Sequence, residues 1–162
     1  FIDDDEDKDV FPELQKRGDK GSTTICWPLK FNGVTFTDYG VCKRYGFIYS
    51  GKSGWWKILR PNVSGKSKYP KVGLISDRGS AKTVSVHIAV METLNQLPIP
   101  EGVSESEWKI TPESVKRFCR KGWFVNHIDH DKCNFIPSNL EWTTAEGNAI
   151  AYQKYRAQKN VH

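Results

Sequence analysis

Acidic side chains are almost missing between Lys43 and Lys82, where ten lysines or arginines stand against Asp77 alone. The total of +5 hides this, because residues 1–20 carry eight acids and four bases and the remainder therefore holds +9. Other absences narrow the class further. No leader peptide and no apolar run of membrane length stands in the chain, so a membrane-spanning protein is not expected. No basic amphipathic helix is present either, which argues against a membrane-surface binder. The four cysteines, Cys26, Cys42, Cys119 and Cys133, form no CxxC pair, so structural zinc of the usual spacing is not indicated and buried free thiols in a reducing cytoplasm are expected.

One motif is present in letters but lacks its physical context. Gly46-Phe47-Ile48-Tyr49-Ser50-Gly51-Lys52-Ser53 satisfies GxxxxGK[ST]. A phosphate loop needs a glycine-rich turn that opens directly into a helix. Here bulky strand-forming residues fill the loop and Gly54-Trp55-Trp56 follows. A nucleotide cofactor is therefore not expected.

At 162 residues the chain can bury one real core. Residues 1–22, with Asp3-Asp4-Asp5-Glu6-Asp7, are too acidic to pack and read as a mobile tail. Residues 23–84 read as a basic β-rich module. Short strand patterns fall at Asp38–Val41, Gly46–Ser50 and Lys71–Ile75, each bounded by Gly, Pro, Ser or Lys. Lysines and arginines there interleave with Tyr45, Phe47, Tyr49, Trp55, Trp56 and Tyr69, a composition suited to tracking phosphates. Lys52, Arg60, Lys66, Lys68, Lys71 and Arg78 are the candidate contacts to double-stranded DNA, with Arg60 and Arg78 as candidates for guanine.

Residues 85–162 read as a mixed unit. Val86, Ile88, Val90, Met91, Leu94 and Leu97 make a helical stripe that Pro98 and Pro100 end. His87 at its start is expected to cap or pack. Thr111-Pro112-Glu113 opens a second helix through Arg120, which carries Lys116, Arg117 and Arg120 as a further candidate DNA grip. Phe124 to Asp129 and Leu140 to Trp142 have strand character, and Thr143 with Glu146 is a capping-box pattern for a helix from Ala145 to about Arg156. Strand, loop, strand, helix could gather His127 with the amides of Asn126, Asn139 and Asn148. An imidazole can take a proton from water, and amide oxygens can hold a hard cation.

This run resembles the HNH (ββα-metal) nuclease motif of phage-type members. The residues ahead of it resemble the β module of phage intron-type HNH homing endonucleases at Tyr39, Val41, Gly46–Ser50, Leu59, Tyr69, Val72, Leu74 and Val86-His87. The resemblance covers about half the chain. It implies an α+β fold, a small antiparallel β module followed by a ββα-metal motif with flanking helices. It also implies a metal-dependent DNA endonuclease of a bacterial or phage-infected cytoplasm, with Mg²⁺ or alternatively Mn²⁺ as cofactor. By residue, it makes His127 the general base, Asn139 the residue that fixes the loop, and Asn126 and Asn148 the metal ligands.

Three departures stand out: Asn126 where many relatives carry Asp, His130-Asp131 where Gly-Asn is usual, and Ile88-Ala89 where Arg-Leu follows the His. The lost charge at Asn126 leaves Asp129 as a candidate substitute. An inactive DNA-binding module and an RNA-binding or RNA-cleaving protein are the alternatives.

Overall fold

The computed structural model describes residues 26–63 and 65–160; the acidic segment 1–22 lies outside them. Four strands form the first sheet in sequential order: β1 (Cys26–Phe31), β2 (Val34–Cys42), β3 (Ile48–Ser50) and β4 (Lys57–Ile58). Asn32 and Gly33 join β1 to β2 with φ of 57° and 74°, the paired left-handed conformation that a two-residue hairpin requires and that Asn-Gly supplies. Register shifts between Pro28 and Leu29, where proline has no N–H to donate to the ladder.

Two further antiparallel pairs follow. β5 (Lys71–Ile75) pairs with β6 (Ala81–Ser85), and β7 (Trp123–His127) pairs with β8 (Leu140–Thr144). Helices α1 (Val86–Leu94), α2 (Glu105–Lys109) and α3 (Glu113–Arg120) separate the pairs, and α4 (Ala145–Lys159) closes the described chain. The architecture is α+β, with small antiparallel sheets ahead of a strand–strand–helix unit.

Helix α1 is the centre of the molecule. Val86, Ala89, Val90, Met91 and Leu94 are all buried and share one apolar cluster with Leu29 and Val41 of the first sheet, Val72 and Leu74 of β5, and Leu140 of β8. A helix that is apolar on most sides belongs in a core. Its Thr93 hydroxyl is satisfied by the first sheet. Thr93 Oγ1 accepts from the Lys30 amide at 2.9 Å and donates to the Lys30 carbonyl at 3.3 Å.

Four details differ from the sequence expectation. The N-cap of α4 is Thr144, whose Oγ1 accepts from Gly147 N at 3.1 Å. Thr143 remains in β8, paired with Phe124, so the Thr143–Glu146 box does not form. A true capping box does close α2, between Ser104 and Glu107, at a serine-x-x-glutamate signal the motif reading passed over. Most of the aromatics interleaved with the basic run are packing residues. Tyr49 is buried, and Phe47 and Trp56 pack beside it against Cys26 and Cys42, while Tyr45 and Trp55 are exposed. The cysteines also divide: Cys26 and Cys42 are buried and opposed across β1–β2, but Cys133 is exposed.

The GxxxxGK[ST] letters fold as sheet. Ile48–Ser50 is β3 itself, and Lys52 beyond it pairs with Asp38 at 2.9 Å. Among the described residues no helix is long and apolar enough to cross a membrane.

Candidate active site

The site is built on β7, β8 and the loop between them. His127 ends β7, opposite Leu140, and is only 5% exposed. Its Nε2 is fully buried and has no hydrogen-bond partner, which leaves Nδ1 as the nitrogen turned outward. Burial lowers its basicity, partly offset by the nearby carboxylates of Asp129 and Asp131. It is thus biased towards the neutral form that a general base must start from.

Asn139 locks the loop that follows. Its side-chain oxygen accepts from Asp129 N at 3.0 Å, and its Nδ2 donates to Asp129 Oδ1 and to the Asn134 carbonyl, both at 2.9 Å. Its carbonyl also accepts from Ile128 N at 2.8 Å. Every one of these partners lies within a few residues of His127 in sequence or across the loop. The amide therefore holds the strand end that carries the imidazole.

Asp129 is placed differently from the charge-donor role considered for it. Oδ1 accepts from Asp131 N as well as from Asn139, and Oδ2 accepts from Asn134 Nδ2 at 2.7 Å. These bonds hold its carboxyl below the usual range, led by the one from Asn134. Both oxygens point into the loop, so Asp129 is a turn acid.

The loop keeps a left-handed residue where relatives have glycine. His130 takes φ 61°, a conformation costing about 1–2 kcal/mol for a residue with a Cβ. Stacking of its ring on Tyr155 of α4, with centroids 4.3 Å apart, offsets part of that cost.

Asn126 precedes His127 and faces the other side of the strand, opposite Glu141 of β8. Its Nδ2 donates to Glu141 Oε1 at 2.8 Å. An amide has a single oxygen able to ligate a cation. This bond occupies the nitrogen and leaves Oδ1 for that purpose. Asn126, Glu141 and the α4 residues Ala151, Lys154 and Tyr155 line one shallow depression. Asn148 lies exposed in the first turns of α4. Among the described residues no three His, Cys, Asp or Glu side chains gather as a metal cluster. The oxygen-bearing side chains lining this depression are Asn126, Asp129, Glu141, Tyr155 and Gln158, and Asn148 is not among them; amide and carboxylate oxygens are the hard donors that suit Mg²⁺ or Mn²⁺.

A strand ending in His127, a loop pinned by Asn139, a returning strand and a following helix reproduce the ββα order that the sequence motif implies. The architecture is that strand–strand–helix order. Among solved structures, the chain is similar to the HNH homing endonuclease I-HmuI, described for DNA binding and cleavage, at 30% identity and a TM-score of 0.48 over 74% of this chain and 53% of that one. The chain thus spans about half the length of that solved HNH protein. No family model and no curated protein matches it.

The proposed DNA contacts fall into two groups around the HNH-like unit. Arg60, Lys66, Lys68 and Arg78 are exposed, and Lys71 is half-buried in β5. Lys52 is engaged with Asp38. On α3, Arg117 lies over the Gly33 turn, within reach of any Cβ placed there, and Lys116 sits over the Trp108 ring and near Glu113.

Arg120 departs most from a phosphate-gripping role. Its Nε donates to Glu92 Oε1 at 3.1 Å, its Nη1 to the Trp123 carbonyl at 2.8 Å, and its guanidinium lies over Trp142. It is a strut joining α1, α3 and the β7–β8 pair. His87 packs, as the sequence suggests. It is buried, its ring stacks on Tyr69 at 4.6 Å, and it lies 5.0 Å from the His127 ring.

Proposed function

We propose that the chain is a metal-dependent DNA endonuclease that hydrolyses phosphodiester bonds by an HNH mechanism, of the homing-endonuclease type. The observation that carries the reading is His127. It is held at a strand end by the Asn139 network, has one buried and one outward ring nitrogen, and follows in sequence Asn126, whose amide oxygen is left for a cation.

His127 takes the proton of the attacking water on its outward nitrogen, and Asn139 keeps that nitrogen aimed. Asn126, oriented by Glu141, and Asn148 would hold the divalent cation through their side-chain oxygens. Such a cation supplies positive charge to the phosphate oxygens as negative charge builds on them. The exposed basic residues of 23–84 and Arg117 grip the double-stranded DNA backbone, and 85–162 cut it.

The test is nicking or linearisation of supercoiled plasmid with Mg²⁺ or Mn²⁺. The wild type should cut, stop in excess chelator, and lose about 10²-fold or more in rate in His127→Ala, while gel-shift affinity for DNA stays within a few-fold. Cutting by His127→Ala near the wild-type rate would overturn the base assignment. Binding without any cutting would make the chain a DNA-binding module, and preference for single-stranded RNA in competition would redirect the substrate.

A further inference from the structure

Among the described residues two buried imidazole nitrogens have no partner, and they belong to neighbouring rings. They are Nε2 of His127 and Nδ1 of His87. His87 is 6% exposed at the second position of α1, and its ring centroid lies 5.0 Å from that of His127 at an interplanar angle of 45°. Tyr69 stacks on His87 at 4.6 Å and on His127 at 5.7 Å, and Lys132 caps the Tyr69 ring at 4.9 Å. The three rings therefore form one packed cluster that shuts water away from both nitrogens.

A neutral imidazole presents one donor and one acceptor. If the outward nitrogen of His127 is to accept a proton, its buried Nε2 must carry the hydrogen. A buried N–H without an acceptor costs about 1–3 kcal/mol. The neighbouring orphan is the complement of this donor. A ring-to-ring hydrogen bond of about 3 Å between nitrogens fits rings whose centroids are 5.0 Å apart once they turn towards each other.

We propose that His87 is the positioning residue of the His127 base: its Nδ1 accepts the Nε2–H of His127 and fixes the tautomer that leaves the outward nitrogen free. This deepens the nuclease reading and rests on it for its catalytic meaning. The acceptor state of His87 is secured by its surroundings, since burial, then His127 and Arg120, push it down to about 4. It thus takes the place of the third group that orients the base in nucleophile–base–orienter arrangements.

The experiment is ¹⁵N NMR of the ring nitrogens at neutral pH in the whole chain, for wild type, His87→Phe and His87→Asn. Phenylalanine keeps a ring in the stack and removes the acceptor; asparagine returns an acceptor near the Nδ1 position. Wild-type His127 should show the Nε2–H tautomer alone, His87→Phe a mixture or the Nδ1–H form, and His87→Asn a return to Nε2–H. The His130 signals report that each variant is folded. In plasmid cleavage, kcat should fall about 10–100-fold in His87→Phe with KM little changed, and recover in part in His87→Asn.

An unchanged His127 tautomer in folded His87→Phe, or an Nδ1–H tautomer in the wild type, would overturn the proposal. A tautomer that follows residue 87 in a chain that never cuts DNA would support the positioning contact while sinking the nuclease reading.

Discussion

At the scale of single residues, the replacement of a carboxylate by Asn126 is coupled to its neighbour across the sheet. Glu141 accepts the Asn126 amide at 2.8 Å, so the site keeps a carboxylate, one strand over. The Asn126–Glu141 bond bears on what an aspartate at 126 would do. Asn126→Asp would set two carboxylates against each other and remove the donor between them, so its Mn²⁺ affinity should not exceed the wild type's. Asn126→Asp with Glu141→Gln restores donor and acceptor in exchanged order and should bind Mn²⁺ more tightly than either single variant. Titration followed by Mn²⁺ electron paramagnetic resonance reads this directly, and tightening by Asn126→Asp alone would show that Glu141 does not orient residue 126.

His87 also leaves a mark on stability. Its folded form is held near 4 against an ordinary value of 6.5. Between those pH values the unfolded chain binds the proton and the folded chain does not, so stability rises with pH across the window. It is fully present above about 6.5 and is lost progressively down to about 4, a change of roughly 3 kcal/mol at 1.36 kcal/mol per pH unit. His127, also lowered by burial, acts in the same direction. Urea melts between pH 4 and 7 should show this slope, and His87→Phe should flatten it. An equal slope in both proteins would place the titrating group elsewhere.

At the scale of elements, what was legible in the sequence was local. α3, β5 and the start of α1 follow their proline, glycine and apolar signals. The 127–139 loop follows its motif because Asn139 makes bonds to residues five and ten positions away. The contacts that escaped are long-range. His87 meets His127 across forty residues, and Arg120 meets Glu92 across twenty-eight, so no spacing rule announces either pair. The Asn32-Gly33 hairpin, by contrast, carried a strong local signal that attention to charge and motif passed over.

The loop lends itself to a test at this scale. Asn139→Ala removes three side-chain hydrogen bonds and should cost about 2–3 kcal/mol at roughly 1 kcal/mol per bond. It should also raise amide hydrogen exchange across the 128–138 loop and slow cleavage. Exchange protection equal to wild type would mean that the β7–β8 ladder, rather than Asn139, holds the loop.

At the scale of the whole molecule, the question is which face meets DNA. The core around α1 places the first sheet, β5–β6 and the β7–β8 pair around one helix. Arg120 is already bound to Glu92 and the Trp123 carbonyl, and Lys52 to Asp38. On the proposed nuclease reading, the weight of phosphate binding would therefore fall on Arg60, Lys66, Lys68, Lys71, Arg78 and Arg117.

Each phosphate neutralised steepens the log–log dependence of affinity on salt by about 0.9. Replacing Lys66, Lys68 and Lys71 together by alanine should therefore flatten the slope by up to roughly 2.7, while the rate at saturating DNA changes little. Arg120→Ala should behave in the opposite way. It should lower the melting temperature, because Glu92 loses its partner and the stack on Trp142 is lost, and leave the salt slope nearly as it was. Equal slopes for the triple variant and the wild type would move the duplex off the β5 region and onto the Arg117 side of α3. A flattened slope in Arg120→Ala would show that DNA draws this arginine out of its internal network.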